Sequence, residues 1–143
     1  MKMKKTAVIF WSGTGNTEAM ANEVLAGMES AGADAVLLGC SEVDGGMIDA
    51  LDAVALGCPA MGAEVLEEEE FAPMFDSIKD KLAGKKVALF GSYGWGDGEW
   101  MRTWEDDCKS AGIVLACDSV ICNEAPDDEA TAACRNLGKA LAE

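Results

Sequence analysis

Short apolar runs alternate along the chain with longer stretches in which apolar residues recur every three or four positions. The runs predict five buried strands, at 7–10, 35–38, 53–56, 87–90 and 113–122. Four of these runs are apolar without alternation, which is typical of a parallel sheet covered on both faces. The fifth and longest run is expected to be irregular near Cys117 and Asp118.

The periodic stretches predict amphipathic helices whose apolar stripes cover 20–28, 71–82, 100–111 and 130–141. The first three stripes end at Gly32, Gly84 and Gly112, and the last follows Pro126. Strands joined by helices form right-handed crossovers. We therefore expect a three-layer α/β/α sandwich built on a five-stranded parallel sheet, with residues 1–143 in one domain.

Charge and composition narrow the function. The chain has 26 acidic residues, 11 basic residues and no histidine, for a formal net charge of −15. This charge disfavours nucleic acid and anionic membranes as partners, because both require a cationic face. The absence of histidine excludes a Ser/His/Asp triad, a Cys/His dyad and a histidine-ligated zinc site. No apolar stretch is long enough to span a membrane.

The six cysteines form no C-x-x-C pair, so the common zinc, thioredoxin and iron–sulfur spacings are missing. Most of them lie in apolar runs, where a free cysteine behaves as a small hydrophobic residue. We interpret them as reduced residues of a cytoplasmic protein. A run of four glutamates, 67–70, is expected to be a solvated turn before a helix.

The loop after the first strand has the composition of a phosphate site. It consists of Ser12, Gly13, Thr14, Gly15, Asn16 and Thr17. Glycines let backbone N–H groups surround an anion, and the helix N-terminus adds partial positive charge. The loop contains no lysine or arginine and matches neither the Walker nor the dinucleotide pattern, which favours a single phosphate monoester. The alternative is a glycine-rich turn in which Asn16 or Thr17 caps the helix.

The segment Ser-Gly-Thr-Gly-Asn-Thr, residues 12–17, resembles the phosphate-binding motif of flavodoxins, which bind FMN. The resemblance extends over the whole chain and is to the short-chain members, particularly those of anaerobic bacteria. It implies the strand order 2-1-3-4-5, for which the flavodoxins are the standard example, with FMN where the loops of the first and third strands meet.

Two further loops resemble the flavin-binding loops of that family. One follows the third strand and contains Pro59, Ala60, Met61, Gly62, Ala63 and Glu64. The other follows the fourth strand and contains Ser92, Tyr93, Gly94, Trp95, Gly96 and Asp97. The resemblance implies that Trp95 stacks on one face of the isoalloxazine ring and Met61 covers the other.

The same resemblance assigns roles to the tip of the first of these loops. The peptide at Gly62 would turn over on reduction and accept a hydrogen bond from flavin N5, and glycine permits the positive φ that this requires. Glu64 would bond the N3–H group of the ring. Ala63 stands where relatives often have Asp or Asn, which removes a side-chain contact.

The function implied is that of a low-potential one-electron carrier that cycles FMN between semiquinone and hydroquinone. Negative surroundings disfavour the anionic reduced ring and lower the potential of the second step. No catalytic residue and no metal is expected. The expected partners are redox proteins with basic docking surfaces, such as ferredoxin-type oxidoreductases, and the protein is expected to be a cytoplasmic monomer.

Three alternatives remain beside this interpretation. An FMN-dependent reductase of the same fold needs space for a second substrate over the ring, which Trp95 would block. A response-regulator receiver requires acidic residues after the first and third strands, where this chain has Phe10-Trp11 and Gly57-Cys58. A plain interaction domain requires that no flavin binds.

Overall fold

The computed structural model describes residues 4–13, 15–61, 65–94, 96 and 98–143. The strands are β1 (Lys5–Phe10), β2 (Asp34–Gly39), β3 (Ala53–Gly57), β4 (Lys86–Tyr93) and β5 (Val120–Asn123). The helices are α1 (Asn16–Ser30), α2 (Gly45–Asp49), α3 (Phe71–Ile78), α4 (Glu99–Ser110) and α5 (Asp128–Ala142). Short 3₁₀ turns lie at Cys40–Glu42 and Lys79–Lys81.

All strand pairs are parallel, and the sheet order is β2-β1-β3-β4-β5. Val8 at the centre of β1 lies opposite Leu37 of β2 and Ala55 of β3. The predicted fold class and strand order are therefore confirmed. This order places the carboxyl ends of β1, β3 and β4 side by side at one edge of the sheet.

Each face of the sheet carries its own apolar core, because successive side chains of a strand point to opposite faces. Ile9 and Leu56 pack in the core beneath α3 and α4, which also contains the buried Trp100 and Trp104. Val8 belongs to the opposite core beneath α1 and α5. Both tryptophans lie in the apolar stripe that the sequence predicts over 100–111.

Helices α1 and α5 pack closely because each carries a glycine in the contact. A Cβ atom added to Gly138 would lie 2.1 Å from the backbone oxygen of Val24, and one added to Gly27 would lie 2.1 Å from that of Arg135. A larger residue at either position therefore requires the two helices to separate.

The fifth strand is shorter than predicted. Leu115 forms an isolated bridge with Val87, and regular pairing begins again at Val120. Between them the chain leaves the sheet, where the Ser119 hydroxyl donates a hydrogen bond to Glu105 Oε2 at 2.7 Å. The expected irregularity near Cys117 and Asp118 is thus present, but residues 113–122 do not form one continuous strand.

The segment between β2 and β3 contains structure that the hydrophobic pattern did not predict. Its helix α2 is one short turn, too short to show periodicity. Asp44 caps the start of α2, because its Oδ1 atom accepts a hydrogen bond from the N–H of Met47 at 2.9 Å.

The six cysteines are all unpaired. No helix in the described part of the chain is long and apolar enough to cross a membrane.

Candidate functional site: a cleft at the carboxyl edge of the sheet

A cleft of about 270 Å³ opens where the loops after β1, β3 and β4 meet. In open α/β sheets ligands bind outside the carboxyl ends of the strands, at the point where the strand order reverses. That point lies here between β1 and β3. The lining residues are Trp11, Gly13, Asn16, Pro59, Ala60, Met61, Ser92, Tyr93, Gly94 and Glu124.

The first loop is ordered by its own hydroxyl group. Ser12 Oγ accepts hydrogen bonds from the backbone N–H groups of Gly15 at 3.1 Å and Glu18 at 3.3 Å. Gly15 is the N-cap of α1, has φ 96°, and provides no side-chain cap. The alternative in which Asn16 or Thr17 caps the helix is therefore wrong. The side chain that caps α1 is that of Ser12, which lies within the loop, and the other N–H groups of a helix N-terminus can bind an anion.

Thr17 connects the first loop to β4. Its side chain is buried, and its Oγ1 atom accepts a hydrogen bond from the N–H of Ser92 at 3.4 Å. Asn16, the preceding residue, lines the cleft. The start of α1 is thereby held against the loop that follows β4.

The second loop is bonded to β4 and α4 where it leaves β3. The N–H of Cys58 donates to the oxygen of Phe90 at 3.2 Å, and that of Ala60 donates to Ser92 at 3.0 Å. Trp100 Nε1 donates to the oxygen of Cys58 at 3.1 Å. Gly91 permits this approach, because a Cβ atom there would lie 2.2 Å from the same oxygen.

Burial raises the pKa of the Cys58 thiol to about 12, so the thiol is neutral and not a nucleophile.

The return arm of the second loop, residues 65–67, leads from the cleft back to α3 and begins with a pair of backbone hydrogen bonds. The N–H of Met61 donates to Val65 at 2.8 Å, and the N–H of Val65 donates to Met61 at 3.0 Å. Met61 lines the cleft at one end of this pair. Val65 is exposed at the other end.

Glu67, just beyond this pair, differs from the solvated residue that the sequence predicted. Its side chain is 7% exposed. Burial acts to raise the pKa of the carboxyl group, but bonds from the N–H groups of Phe71, Glu70 and Glu69 outweigh burial, and the net pKa is lowered. The three glutamates that follow are exposed, as predicted.

The third loop is held from two sides. The ring of Tyr93 packs at a tilt on Trp100, with 5.6 Å between ring centroids. On the other side, the Asn123 amide donates to the oxygens of Tyr93 at 3.3 Å and Gly94 at 3.4 Å. The N–H of Glu124 also donates to the Tyr93 oxygen, at 2.8 Å.

The structure brings most of the described predicted residues into one cleft. The predicted residues that line it are Gly13, Asn16, Pro59, Ala60, Met61, Ser92, Tyr93 and Gly94. Ser12, Gly15, Thr17 and Gly96 belong to the same loops but do not line it. The predicted residues Thr14, Gly62, Ala63, Glu64, Trp95 and Asp97 lie outside the described residues.

Two lining residues, Trp11 and Glu124, were not predicted. Trp11 directly follows β1, and its ring lies 3.1 Å from the position that a Cβ atom on Gly13 would take. Glu124 directly follows β5 and has a positive φ of 58°, unusual for a residue other than glycine. The rule that ligands lie beyond the carboxyl ends of the strands would have included both residues.

The chemistry of the lining residues fits a planar cofactor with a phosphate. Met61, Trp11 and Tyr93 offer soft or flat apolar surfaces, which suit an aromatic ring. The hydroxyl-rich loop and the start of α1 offer donors for an anion. None of the described lining residues is cationic, and none is arranged as a nucleophile with a base. The fold and the cleft therefore define an α/β protein with a site suited to a phosphorylated planar cofactor.

Comparison with known proteins agrees with this class. The flavodoxin family model matches residues 8–138. The chain is 44% identical to the flavodoxin of Megasphaera elsdenii, over 94% of this chain and 96% of that one. It is 47% identical to the flavodoxin of Clostridium beijerinckii, over 94% of this chain and 97% of that one.

A solved structure shows the same fold. The solution structure of two-electron reduced M. elsdenii flavodoxin matches with a TM-score of 0.88, over 96% of this chain and 98% of that one. The chain belongs to the flavodoxin family. It is an FMN-binding electron carrier that serves redox partner proteins and is not an enzyme. The reductase alternative is not favoured, because these relatives are flavodoxins.

Proposed function

We propose that FMN binds in the cleft described above and that the protein uses it as a low-potential one-electron carrier. The observation that carries this proposal is the convergence of three loops from different strands on one cleft, each contributing residues predicted from the sequence. When bound, FMN supplies a redox group that takes up and releases electrons singly. The protein supplies binding, orientation and an electrostatic environment.

The phosphate is assigned to the loop 12–17. Its donors would be the hydroxyls of Ser12, Thr14 and Thr17, the Asn16 amide and the backbone N–H groups around Gly13 and Gly15. Support comes from the start of α1 at this loop and from the fold of the loop around Ser12 Oγ. The hydroxyl oxygens of Ser12 and Thr17 each accept a hydrogen bond from a backbone N–H group of the protein. These two residues therefore hold the shape of the loop and also offer hydroxyl groups to the phosphate.

The ring is assigned to the space between the second and third loops. One side would be formed by Pro59, Ala60, Met61, Gly62, Ala63 and Glu64. The other side would be formed by Ser92, Tyr93, Gly94, Trp95, Gly96 and Asp97. The backbone bond between Ala60 and Ser92, at 3.0 Å, supports a fixed separation of the two sides. Pre-organised walls of this kind reduce the entropy lost on binding.

The low potential is assigned to negative charge around the ring. The carboxylates of Glu68, Glu69 and Glu70 are exposed near the second loop, and Glu124 lines the cleft. None of the described lining residues is a lysine or an arginine. These carboxylates would disfavour added negative charge on a bound FMN and would thereby lower the potential of its second reduction.

The partners are proposed to be ferredoxin-type oxidoreductases with basic docking surfaces. The net charge of −15 supports this choice, because complementary charge speeds association. We further propose that the protein is a monomer, that residues 1–143 form one FMN-binding domain, and that it works in the cytoplasm. Six unpaired cysteines support a reducing compartment.

Titration of the FMN-free protein with FMN and with riboflavin tests the proposed site. We expect one FMN per chain and clearly weaker binding of riboflavin, which lacks the phosphate. Asn16→Ala and Met61→Ala should each weaken FMN binding, as residues of the phosphate end and the ring end of the cleft. Equal affinities for the two flavins would refute the role of the first loop.

A further inference from the structure

We infer that Glu67 is a positioning residue for the FMN cleft, whose carboxylate holds the second loop against the start of α3. The inference rests on the proposed placement of FMN between the second and third loops. It concerns a residue that does not line the cleft and that the sequence predicts to be solvated.

Both oxygen atoms of the Glu67 carboxylate accept hydrogen bonds from backbone donors. Its Oε2 atom accepts a hydrogen bond from the N–H of Glu69 at 2.9 Å. Its Oε1 atom accepts from Glu70 at 2.7 Å and from Phe71 at 2.8 Å. Phe71 is buried, so its N–H group has no access to water if the carboxylate leaves.

These bonds make Glu67 the cap of α3. The residue at the N-cap position is Glu70, which makes no side-chain cap bond. Glu67, at an earlier position, satisfies donors that the first turn of a helix leaves unpaired. The start of α3 therefore depends on a residue that lies outside the helix, on the arm leading back from the cleft.

The backbone of Glu67 connects the cap to the loop. Its N–H group donates to Cys58 Sγ at 3.4 Å, so the residue that follows the loop is bonded to the residue that starts it. Between them, Met61 and Val65 exchange their two backbone bonds. Without the carboxylate, the arm keeps only the bond that the Glu67 oxygen accepts from the N–H of Ala72 in α3, at 2.9 Å. The paired bonds then transmit the weaker hold on the arm to Met61 in the cleft.

Glutamine is not an adequate substitute at this position, because all three partners of the side chain are donors. An amide offers one oxygen and one NH₂ group, so at least one donor would face another donor. Glu68 provides a matched control. Its carboxylate is exposed and accepts no hydrogen bond from a described residue, and Glu68→Gln removes the same charge one position away.

The test uses the FMN-loaded protein and compares Glu67→Gln with Glu68→Gln. FMN release on dilution, followed by flavin fluorescence, measures the dissociation constant. Redox titration at low and high salt measures both one-electron potentials. We expect Glu67→Gln to weaken FMN binding about tenfold, and to shift the potentials by an amount that salt does not reduce. Glu68→Gln should leave the affinity nearly unchanged and cause a small shift that salt screens.

Two further variants keep the test decisive. Asp44→Ala removes the cap of α2, which bonds Met47 at 2.9 Å, and controls for loss of a helix cap elsewhere. It should leave FMN affinity unchanged. Glu67→Asp keeps the charge on a shorter side chain and replaces Glu67→Gln in the test if that variant does not fold. We expect Glu67→Asp to lose FMN affinity to an intermediate extent.

Identical affinities and identical salt-sensitive potential shifts in Glu67→Gln and Glu68→Gln would overturn the inference, because Glu67 would then act only as a charge. Faster amide exchange at Phe71 with unchanged FMN affinity would also overturn it, since the cap would then be independent of the cleft. If neither Asn16→Ala nor Met61→Ala weakens FMN binding, the proposed site is wrong, whatever the result at Glu67.

Discussion

The indole N–H of Trp100 donates a hydrogen bond to the backbone oxygen of Cys58 at 3.1 Å, which ties α4 to the loop that follows β3. Both residues are buried, and Cys58 also accepts through Sγ from the N–H of Glu67. The loop that carries Met61 is therefore held at its first residue by α4 and by the cap of α3. This arrangement makes the cleft dependent on residues in the core beneath it.

Trp100 and Trp104 form a natural pair for measuring the value of that bond. Each is 1% exposed, but no described residue accepts a hydrogen bond from Trp104 Nε1. Both substitutions to Phe remove similar volume, while only Trp100→Phe leaves a buried carbonyl without its donor. We expect Trp100→Phe to be more destabilising than Trp104→Phe by about 1–3 kcal/mol. Denaturant unfolding of the two variants measures the difference, and equal losses would show that the bond contributes nothing.

The lowered pKa of Glu67 predicts a dependence of stability on pH. Burial alone would raise the pKa, and the three N–H bonds lower it. A depressed folded-state pKa stabilises the protein above the unfolded value of about 4.3. This contribution is lost as the pH falls through the folded value.

Glu67→Gln should therefore be less stable than the parent protein near neutral pH, by about 1–2 kcal/mol for a lost cap. The difference in unfolding free energy between this variant and the parent protein should become smaller at acidic pH. Unfolding free energies measured from neutral pH to about pH 3, across the ordinary carboxyl range, test this, with Glu68→Gln as the control. A difference that persists unchanged in acid would contradict the assignment to this carboxylate.

The contact between α1 and α5 predicts an unusual result for a glycine inside a helix. Glycine to alanine in a helix ordinarily stabilises by about 1 kcal/mol. At Gly138 the new Cβ would lie 2.1 Å from the Val24 oxygen, so we expect Gly138→Ala to destabilise by about 1–3 kcal/mol. Gly46, in α2, has its nearest neighbour at 3.4 Å and is the control. Thermal unfolding that shows the two variants alike would mean that the helices separate at no cost.

The carboxylates near the proposed FMN site are expected to act on the FMN potential as a diffuse field. Replacing Glu68, Glu69 and Asp97 singly by the corresponding amides should raise the more negative one-electron potential in small steps. The steps should add, because exposed charges couple weakly through water. Redox titration of the single variants and their combination measures the steps, and high salt should shrink them. One variant carrying nearly the whole shift at all salt concentrations would indicate a direct contact with the ring.

The same variants should slow electron transfer to a basic acceptor. A small basic cytochrome c is a suitable probe, with rates measured as a function of ionic strength. The reduction should be largest at low salt, where charges steer association most strongly. Amide variants of Glu29 and Asp34, exposed carboxylates at the opposite edge of the sheet, should change the rates less. Equal effects at both edges would show that net charge, and not the cleft edge, directs the encounter.

The sequence by itself determined the layers of the fold and the place of the cleft. The apolar runs of β1, β3 and β4 are nearly uninterrupted, since both faces of a parallel sheet are buried. The apolar stripes of the helices have a period near 3.6 residues. The connections that join parallel strands through helices are right-handed crossovers. The carboxyl ends of parallel strands lie at one edge of the sheet, and the strand order implied by the family resemblance then placed Asn16, Met61 and Ser92 together there.

Only the tertiary structure decided which polar and aromatic residues serve that cleft. Glu67 is one of four consecutive glutamates, and nothing in their local pattern separates it from the others. Its role depends on backbone N–H groups that converge when α3 packs on the sheet. Periodicity reports which side of an element is buried, whereas contacts between distant segments are set by packing, which no local window of sequence contains.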